Sequence, residues 1–334
     1  MHLCGYHIRF QTPAFLGNAQ QKAQWRTPPF KALLRQWWRV AYAAQKNFNV
    51  DVSALRREEA LLFGHAWLEN DFTIDADGTS RKTAARQSAI RMRLFPTEPN
   101  RPAWSPGTQQ GVQPMSVDLG TSYAWYGLVK RPDLPDRIGI KAGSAEGIQI
   151  LSLAAPEAAM PQLEKAVSLI AAFGTLGSRS RGGWGSLHID EAPSLSLAEL
   201  HSYSRSMDMC LCTDWAMSLA FDAKGLCIWH SKQTFASWDK AMPFVAMARK
   251  YARGVLDRNL RVALGFAGAG RMPSPLRWKV IPEGNALRVR VFAMPHAIPQ
   301  GAGESLSFAQ LQAAWHTVCA ELDGAQNLQR LNNV

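Results

Sequence analysis

The sequence lacks paired cysteines and clustered histidines. Its 334 residues include 5 cysteines, an odd number, and none of them follows Cys-x-x-Cys spacing, so neither a disulfide framework nor a zinc site is expected. None of the 8 histidines forms a His-x-x-x-His pair, which leaves a metal ion without a ligand set. We therefore predict no metal and no cofactor, with the cysteines reduced and buried.

Long apolar runs are also missing. No stretch reaches the roughly 18 apolar residues that cross a bilayer, and residues 1–10 interleave polar with apolar side chains, unlike the core of a signal peptide. We expect a cytoplasmic protein with no membrane partner. Its hydrophobic content of 47% is enough to fill the cores of two ordinary domains.

Negative charge is scarce. Lys and Arg number 37 against 26 Asp and Glu, a formal net charge of +11, and the excess lies in residues 1–110 and 201–334. A field of this sign favours nucleic acid or an anionic membrane over cationic partners. Solubility alone is the other explanation of such a charge.

One segment combines the residue types of a polyanion site. Residues 174–187 read Gly-Thr-Leu-Gly-Ser-Arg-Ser-Arg-Gly-Gly-Trp-Gly-Ser-Leu. Backbone without Cβ atoms can lie against a ligand and direct N–H groups at it, and the guanidinium fork suits phosphate. The segment matches neither the phosphate loop of nucleotide hydrolases nor the dinucleotide fingerprint. A plain glycine-rich turn between a helix and a strand is the alternative.

A second basic feature lies on a predicted helix that begins at Pro28. Apolar residues recur at helical spacing over 30–41. Lys31, Arg35 and Arg39 follow at four-residue intervals along one stripe that carries no acidic residue. Like charges at this spacing repel, and a bound phosphate chain would remove the repulsion. A solvated helix face is the alternative.

Hydrophobic periodicity divides the chain into two halves of similar order. In the first half it predicts strands at 3–10, 122–129, 147–153 and 186–190 and helices at 28–41, 51–70 and 161–173. In the second half it predicts strands at 209–212, 215–221, 277–281 and 287–292, helices at 239–257 and 307–323, and a second glycine-rich basic loop at 265–276. This order predicts an α+β fold of two ferredoxin-like or RRM-type domains, residues 1–200 and a degenerate second domain at 201–334.

Residues 72–120 differ from their surroundings. Basic residues are followed by prolines scattered over 96–114, which indicates a basic insertion without a complete core. Asp71, Asp75 and Asp77 lie at its start. Acidic residues beside a glycine are more typical of a solvated turn than of a metal or acid site.

Five motifs resemble the RAMP superfamily of CRISPR effector subunits and come in the same order over nearly the whole chain. They are residues 12–17, 28–39, 126–128, 174–186 and 271–276. The resemblance is strongest to the first subunit of the type III-B Cmr complex. The loop between Phe15 and Arg26 is short and lacks the expected acidic run, and the chain is also similar in size to the backbone proteins of type IV systems.

The resemblance implies domains that hold guide crRNA by its phosphate backbone, which suits a protein that must accept any spacer. The implied RNA contacts are Lys31, Arg35, Arg39, Gly174, Gly177, Ser178, Arg179, Ser180, Arg181, Gly182, Gly183 and Arg271. The insertion corresponds to the family's thumb, which enters the guide–target duplex, and its implied target contacts are Arg81, Lys82, Arg86 and Arg91.

The leading hypothesis is a non-catalytic backbone subunit of a class 1 CRISPR ribonucleoprotein of type III or type IV, an antiviral complex. Its expected partners are crRNA, target RNA or DNA, and other effector subunits, including copies of itself. The alternative is a metal-independent endoribonuclease of the same superfamily, with His7 or His65 as general acid or base. A small-molecule phosphate enzyme is a third class, and the missing acid–base and metal constellations count against it.

Overall fold

A computed structural model describes residues 1–19, 23–66, 68, 71–74, 77–83, 85–97, 122–125, 128, 139–143, 148–267 and 270–331. Its helices are α1 (Thr27–Gln45), α2 (Val52–Phe63), α3 (Ser122–Trp125), α4 (Met160–Phe173), α5 (Leu197–Ser202), α6 (Met207–Leu211), α7 (Trp238–Gly254) and α8 (Phe308–Gly324). Its strands are β1 (His2–Phe10), β2 (His65–Ala66), β3 (Phe72–Ile74), β4 (Ser80–Lys82), β5 (Ala85–Arg86), β6 (Arg91–Pro96), β7 (Gln149–Ala155), β8 (Leu187–Ile189), β9 (Ser204–Ser206), β10 (Leu219–Asp222), β11 (Gly225–Leu226), β12 (Ile228–Ser231), β13 (Leu276–Glu283), β14 (Ala286–Ala293) and β15 (Leu328–Arg330).

The first unit is a four-stranded antiparallel sheet with the order β6-β7-β1-β8. Along the chain its elements run β1, α1, β6, β7, α4, β8, which is the βαββαβ connectivity of a ferredoxin-like fold. Alternate residues of β1, Tyr6, Ile8 and Phe10, enter the first core together with α1 and α4. The other face of this sheet turns away from both helices.

The second unit repeats this topology. Its antiparallel sheet has the order β13-β14-β12-β15 and its elements run β12, α7, β13, β14, α8, β15. Strands β12 and β15 are short, four and three residues. The α+β class with ferredoxin-like units is thus confirmed, and the domain boundary at residue 200 stays a prediction.

Helices α1 and α4 are covered on both sides, by the first sheet and by the second. Phe292 of β14 lies with its ring centroid 4.8 Å from Phe173 of α4 and 6.4 Å from Trp37 of α1. Lys279 Nζ of β13 donates to the carbonyl oxygens of Ile170 (2.9 Å) and Ala171 (2.6 Å). Carbonyl oxygens in the last turn of a helix need donors from outside the helix, so the second unit fixes the end of α4.

Several predicted elements differ from the structure. Residues 122–125 form helix α3 instead of a strand, and 209–212 fall largely in helix α6, where Ser206 accepts a hydrogen bond from Met209 N. Short apolar runs do not distinguish the two periods. The helix predicted over 51–70 ends at Phe63, because Gly64 takes a φ of 84°.

The predicted insertion contains a strand of the first sheet. Strand β6 pairs with β7 from Arg91 to Pro96, so Arg91 lies in the ferredoxin-like unit and not in a protruding insertion, and its contact with a target stays a prediction. The hairpin β3–β4 precedes it and carries Arg81 and Lys82. Asp75, residues 98–121 and the first two residues of the 126–128 motif lie outside the described residues. None of the described helices is long and apolar enough to span a bilayer.

Candidate nucleic-acid interface

A basic groove of about 670 Å³ lies between the glycine–arginine loop (residues 174–186), the end of α7 and the second glycine-rich loop. We call it the arginine groove. None of its described lining residues is acidic, and five of them are arginines: Arg179, Arg181, Arg249, Arg253 and Arg271. Both ferredoxin-like units contribute, because the first two arginines precede β8 and the other three lie between β12 and β13. Such a concentration of cations in a groove without an acidic lining residue favours a polyanion.

The base of the glycine–arginine loop is closed by hydrogen bonds to residues 12–15. Ser178 N donates to Phe15 O (3.0 Å), Gly185 N donates to Pro13 O (2.9 Å), and Thr12 Oγ1 donates to Gly183 O (2.6 Å). Within the loop, Leu176 N donates to Gly185 O (2.9 Å). The loop is therefore a firmly held hairpin.

Trp184 anchors this loop in the second core. Its side chain is fully buried, its indole N–H donates to Ala124 O at 2.9 Å, and its ring lies 5.4 Å from Phe15 and 5.9 Å from Trp238 of α7. Trp278 N of β13 also donates to Arg181 O (3.1 Å). These contacts across the two units hold the arginines of the loop opposite those of α7.

Most of the loop's amides are used by the protein. The N–H groups of Ser178, Ser180, Gly182, Gly183 and Gly185 donate to carbonyl oxygens of the loop or of residues 12–15. The expectation that the loop presents its amides as a cradle was wrong for these five positions, because a tight hairpin pairs its own amides. The side chains at its tip, Ser178 to Arg181, line the groove instead.

The glycines have different neighbours. Gly174 and Gly183 are buried and do not line the groove; a Cβ would lie 2.6 Å from Ile170 O at the first and 3.6 Å from Met242 Sδ at the second. Their close approach is therefore to protein and not to a ligand. Gly177 and Gly182 do line the groove, and a Cβ on Gly182 would overlap the guanidinium of Arg249.

Two groove arginines are held in position and partly withdrawn from water. Arg181 Nη1 donates to Ser274 O (3.0 Å), and burial lowers the pKa of its guanidinium to about 10. Burial also lowers the pKa of Arg249, whose guanidinium lies 5.2 Å from the ring of Tyr123. Tyr123 raises this pKa, whereas the cations Arg179 and Arg253 lower it. Arginines stay protonated at neutral pH. The groove therefore holds partly buried cations whose desolvation costs free energy, and a bound anion would offset that cost.

The second glycine-rich loop closes the other side of the groove. Arg253 Nη1 donates to Gly265 O (2.9 Å), and Phe266 and Met272 pair with each other through their backbones. Arg271 is exposed between them. The predicted residues Arg179, Arg181 and Arg271 are thus brought together in one site.

Sequence reasoning missed Arg249, Arg253 and Tyr123 as lining residues. The arginines are four residues apart and therefore share one face of α7. That spacing on a helix leading to a glycine-rich loop was the available signal. No comparable signal pointed to Tyr123, because the residues around it were predicted to form a strand.

Two of the three residues of the predicted helix stripe, Lys31 and Arg35, line a second basin of about 570 Å³, together with Arg56, Arg86 and His65 among others, whereas Arg39 does not line it. The sequence suggested a stripe without acidic partners, but the structure provides one. Arg35 and Arg39 both donate to the buried carboxylate of Glu59 on α2. Burial opposes ionisation of Glu59, and the hydrogen bonds from the two arginines outweigh it and lower its pKa. The partner comes from another element, which helix spacing does not reveal.

The remaining candidates are engaged elsewhere. Arg86 donates twice to Asp71 (2.7 and 2.8 Å), and His65 contacts the same carboxylate at 2.8 Å. The hydrogen bond from Arg86, above all, lowers the pKa of Asp71 to about 2. His7 contacts Glu191. Neither histidine lines the arginine groove.

Among the residues that the structure describes, two groups of side chains have the donor types and closeness of metal ligands, and both lie apart from the groove. They are His2 with Cys4 and Glu164, and Asp222 with Cys227 and Cys319. Asp222 is already bound by Arg330, at 2.9 Å between Oδ2 and Nη2. This pairing occupies the carboxylate of the second group.

Two ferredoxin-like units thus frame one basic groove, and each contributes a glycine-rich loop to it. The chain is similar over 96% of its length to Cmr1 from Pyrococcus furiosus in its apo form, with a TM-score of 0.56, 16% identity and 97% of that chain covered. This likeness confirms the resemblance at the level of fold. No protein-family profile and no curated protein sequence matches the chain.

Weaker likenesses are found in two assemblies. A chain of a type III-B Cmr-beta complex bound to cognate target RNA matches with a TM-score of 0.47 and 10% identity, over 95% of this chain and 99% of that one. A chain of a type IV-B CRISPR complex matches with a TM-score of 0.33 and 16% identity, over 58% of this chain and 93% of that one.

Proposed function

We propose that this chain is a non-catalytic subunit of a class 1 CRISPR ribonucleoprotein that holds guide RNA by its phosphates in the arginine groove. The observation that carries the proposal is the convergence of five arginines from both units on a groove with no acidic residue among its described lining. The fold shared with Cmr1 supports the kind of complex. Guide RNA supplies the polyanion that such a groove requires.

Recognition through phosphates fits the chemistry of the groove. Guanidinium groups donate in pairs to phosphate oxygens and do not distinguish the bases attached to them. Arg181 and Arg253 are each tied to a backbone carbonyl, so less side-chain freedom is lost when a phosphate binds. The protein would then accept guides of any sequence and present their bases for target pairing.

The partners follow from this role. We propose crRNA, a target RNA or DNA paired with it, and other effector subunits, including further copies of this chain. Type III and type IV systems both fit the proposal. The second basin, with Lys31, Arg35 and Arg86, is a further contact region for the guide or the target in the same scheme.

The ribonuclease alternative receives no support from the candidate histidines. His7 and His65 each contact a carboxylate and lie outside the arginine groove, and His65, which lines the second basin, is held there by Asp71. We therefore propose retention of RNA without cleavage. Labelled repeat RNA incubated with the protein in a chelator should stay intact, and cleavage that disappears in H7A or H65A would establish the enzyme instead.

RNA affinity tests the groove directly. Arg179→Ala with Arg271→Ala removes two exposed groove cations, and Lys240→Ala with Lys250→Ala removes two exposed cations of α7 outside the groove. We expect the first pair to weaken binding of unrelated 30-nucleotide RNAs by a similar factor of at least tenfold, and the second pair to leave it within about twofold. Equal affinity of both variants, or a loss confined to one RNA sequence, would contradict the proposal.

A further inference from the structure

The first sheet has a face that the described residues leave uncovered. Strand β6 points Met92 and Leu94 toward the first core, while Arg91, Arg93 and Phe95 alternate with them and are exposed. Phe95 keeps 43% of its surface in water. We call this side of the sheet, with Arg91, Arg93 and Phe95 of β6, Ile150 and Ser152 of β7 and His7 of β1, the open face.

The strand register arranges the open face in rows. Phe95 pairs with Ile150, which pairs with His7 on the far side, and Arg93 lies beside Ser152 in the next row. Strands lie about 4.8 Å apart and alternate residues about 6.7 Å apart along a strand. Arg91, Arg93 and Phe95 therefore follow one another along one margin of the sheet, with both arginines on the same side of the aromatic ring, beside a shallow floor made by Ser152 and its neighbour Gly5.

Charge on the open face is uneven. On the β8 side, Arg9 forms an ion pair with Asp190 (2.8 Å) and His7 contacts Glu191. On the β6 side, neither Arg91 nor Arg93 has an ion pair or side-chain hydrogen bond with any described residue. The margin that carries Phe95 is therefore also the margin with unbalanced positive charge.

Arginines on an edge strand also discourage unwanted strand pairing. That function would be served equally by acidic residues, and it does not account for a half-exposed phenylalanine between them and the end of the strand. An aromatic ring beside free guanidinium groups is the combination that binds single-stranded nucleic acid, because bases stack on the ring and phosphates pair with the cations.

We propose that the open face binds single-stranded RNA, with a base stacked on Phe95 and adjacent phosphates held by Arg91 and Arg93. The site is built from β6, β7 and β1 and shares no residue with the arginine groove. Its proposal therefore does not depend on guide binding in the groove. An RNA strand that leaves the groove, or a separate strand, could occupy it.

Binding of a fluorescent octauridylate to the full chain tests the proposal, measured in the Arg179→Ala, Arg271→Ala background to suppress the groove. In this background we expect Phe95→Ala to weaken binding about tenfold, and Phe95→Trp to retain it. Arg91→Ala with Arg93→Ala should weaken binding and reduce the slope of log affinity against log salt by about 1.4, as two lost phosphate contacts require.

The matched control is Arg57→Ala with Lys165→Ala, which removes the same charge from exposed positions of α2 and α4 and should change affinity less than twofold. Thermal unfolding of each variant verifies folding. If Phe95→Ala fails to fold, the variant with Arg91→Ala and Arg93→Ala still tests the open face. The proposal would be overturned if all open-face variants bound octauridylate as tightly as their background, or if the protein with Arg179→Ala and Arg271→Ala did not bind it at all. The open face would then be a contact surface for a protein neighbour. If the open-face substitutions weakened RNA binding and the groove substitutions did not, the proposed role of the arginine groove would be overturned instead.

Discussion

Lys279 Nζ lies 2.9 Å from the carbonyl oxygen of Ile170 and joins the second sheet to the helix that leads into the glycine–arginine loop. The lysine is 1% exposed, burial lowers the pKa of its amino group well below the usual value, and its hydrogen-bond partners are helix carbonyls instead of a carboxylate. The position of the arginine groove therefore depends on a contact between residues more than a hundred positions apart.

Lys279→Met should destabilise the protein by about 1–3 kcal/mol, because it removes the Nζ donor from the carbonyl oxygens of Ile170 and Ala171 at the end of α4. Urea unfolding measures the loss. Lys240→Met, at an exposed site on α7, is the control and should cost less than about 0.5 kcal/mol. Equal stability of the two variants would mean that the capping contact contributes little.

Gly177→Ala should destabilise by about 1–3 kcal/mol, because Gly177 has a φ of 97° and its Cβ would lie 2.8 Å from Phe15 O. Gly254→Ala provides the contrast, since Gly254 ends α7 with open space around its Cβ and no positive φ. That change should be neutral or stabilising by up to about 1 kcal/mol. A Gly177→Ala protein of normal stability would show that the loop relaxes around the new methyl group.

RNA affinity should fall steeply with salt and stay constant from pH 6 to pH 9. Five arginines that each neutralise one phosphate of a single strand give a slope of about −3.5, or roughly a hundredfold between 50 and 200 mM salt. The pKa of Arg181 is lowered only to about 10, so the guanidinium stays charged throughout this pH range. Anisotropy titrations measure both dependences, and a shallow salt slope would contradict binding through several phosphates.

Asp71→Asn should destabilise the protein near neutral pH, because Arg86 and His65 lose a shared carboxylate. The pKa of Asp71 is lowered to about 2, from an ordinary value of 3.8. Its ionised form therefore contributes stability above about pH 4, and the contribution is lost as the pH falls through about 2. The difference in unfolding free energy between the two proteins should shrink over that interval. Asp257→Asn, at an exposed site, should show no such change.

The long elements were predictable because their periodicity is sustained. Helix α4 and the pair β13–β14 fall within one or two residues of the predicted ranges, since a long amphipathic pattern fits only one period. Residues 209–212 failed for the opposite reason, as four residues are compatible with either period. Helix α6 there is fixed by the capping hydroxyl of Ser206 and by contacts that only the fold supplies.

The site was predictable in its residue types but not in its assembly. Arg179, Arg181 and Arg271 stood out because glycine surrounds them. That α7 would lie opposite them follows from the insertion of Trp184 into the second core, which no local pattern encodes. The pairing of Arg35 and Arg39 with Glu59 was hidden for the same reason, because the carboxylate belongs to another helix.

The double cover over α1 and α4 makes the two halves of this chain interdependent. During synthesis, Trp37 and Phe173 leave the ribosome long before Phe292 can cover them. The amino-terminal half therefore stays incompletely folded, with these apolar rings exposed to water, until the second half is made. A fragment cut near residue 200 would keep those rings uncovered permanently and tend to precipitate. Gene fission or shuffling of one half alone is thereby disfavoured.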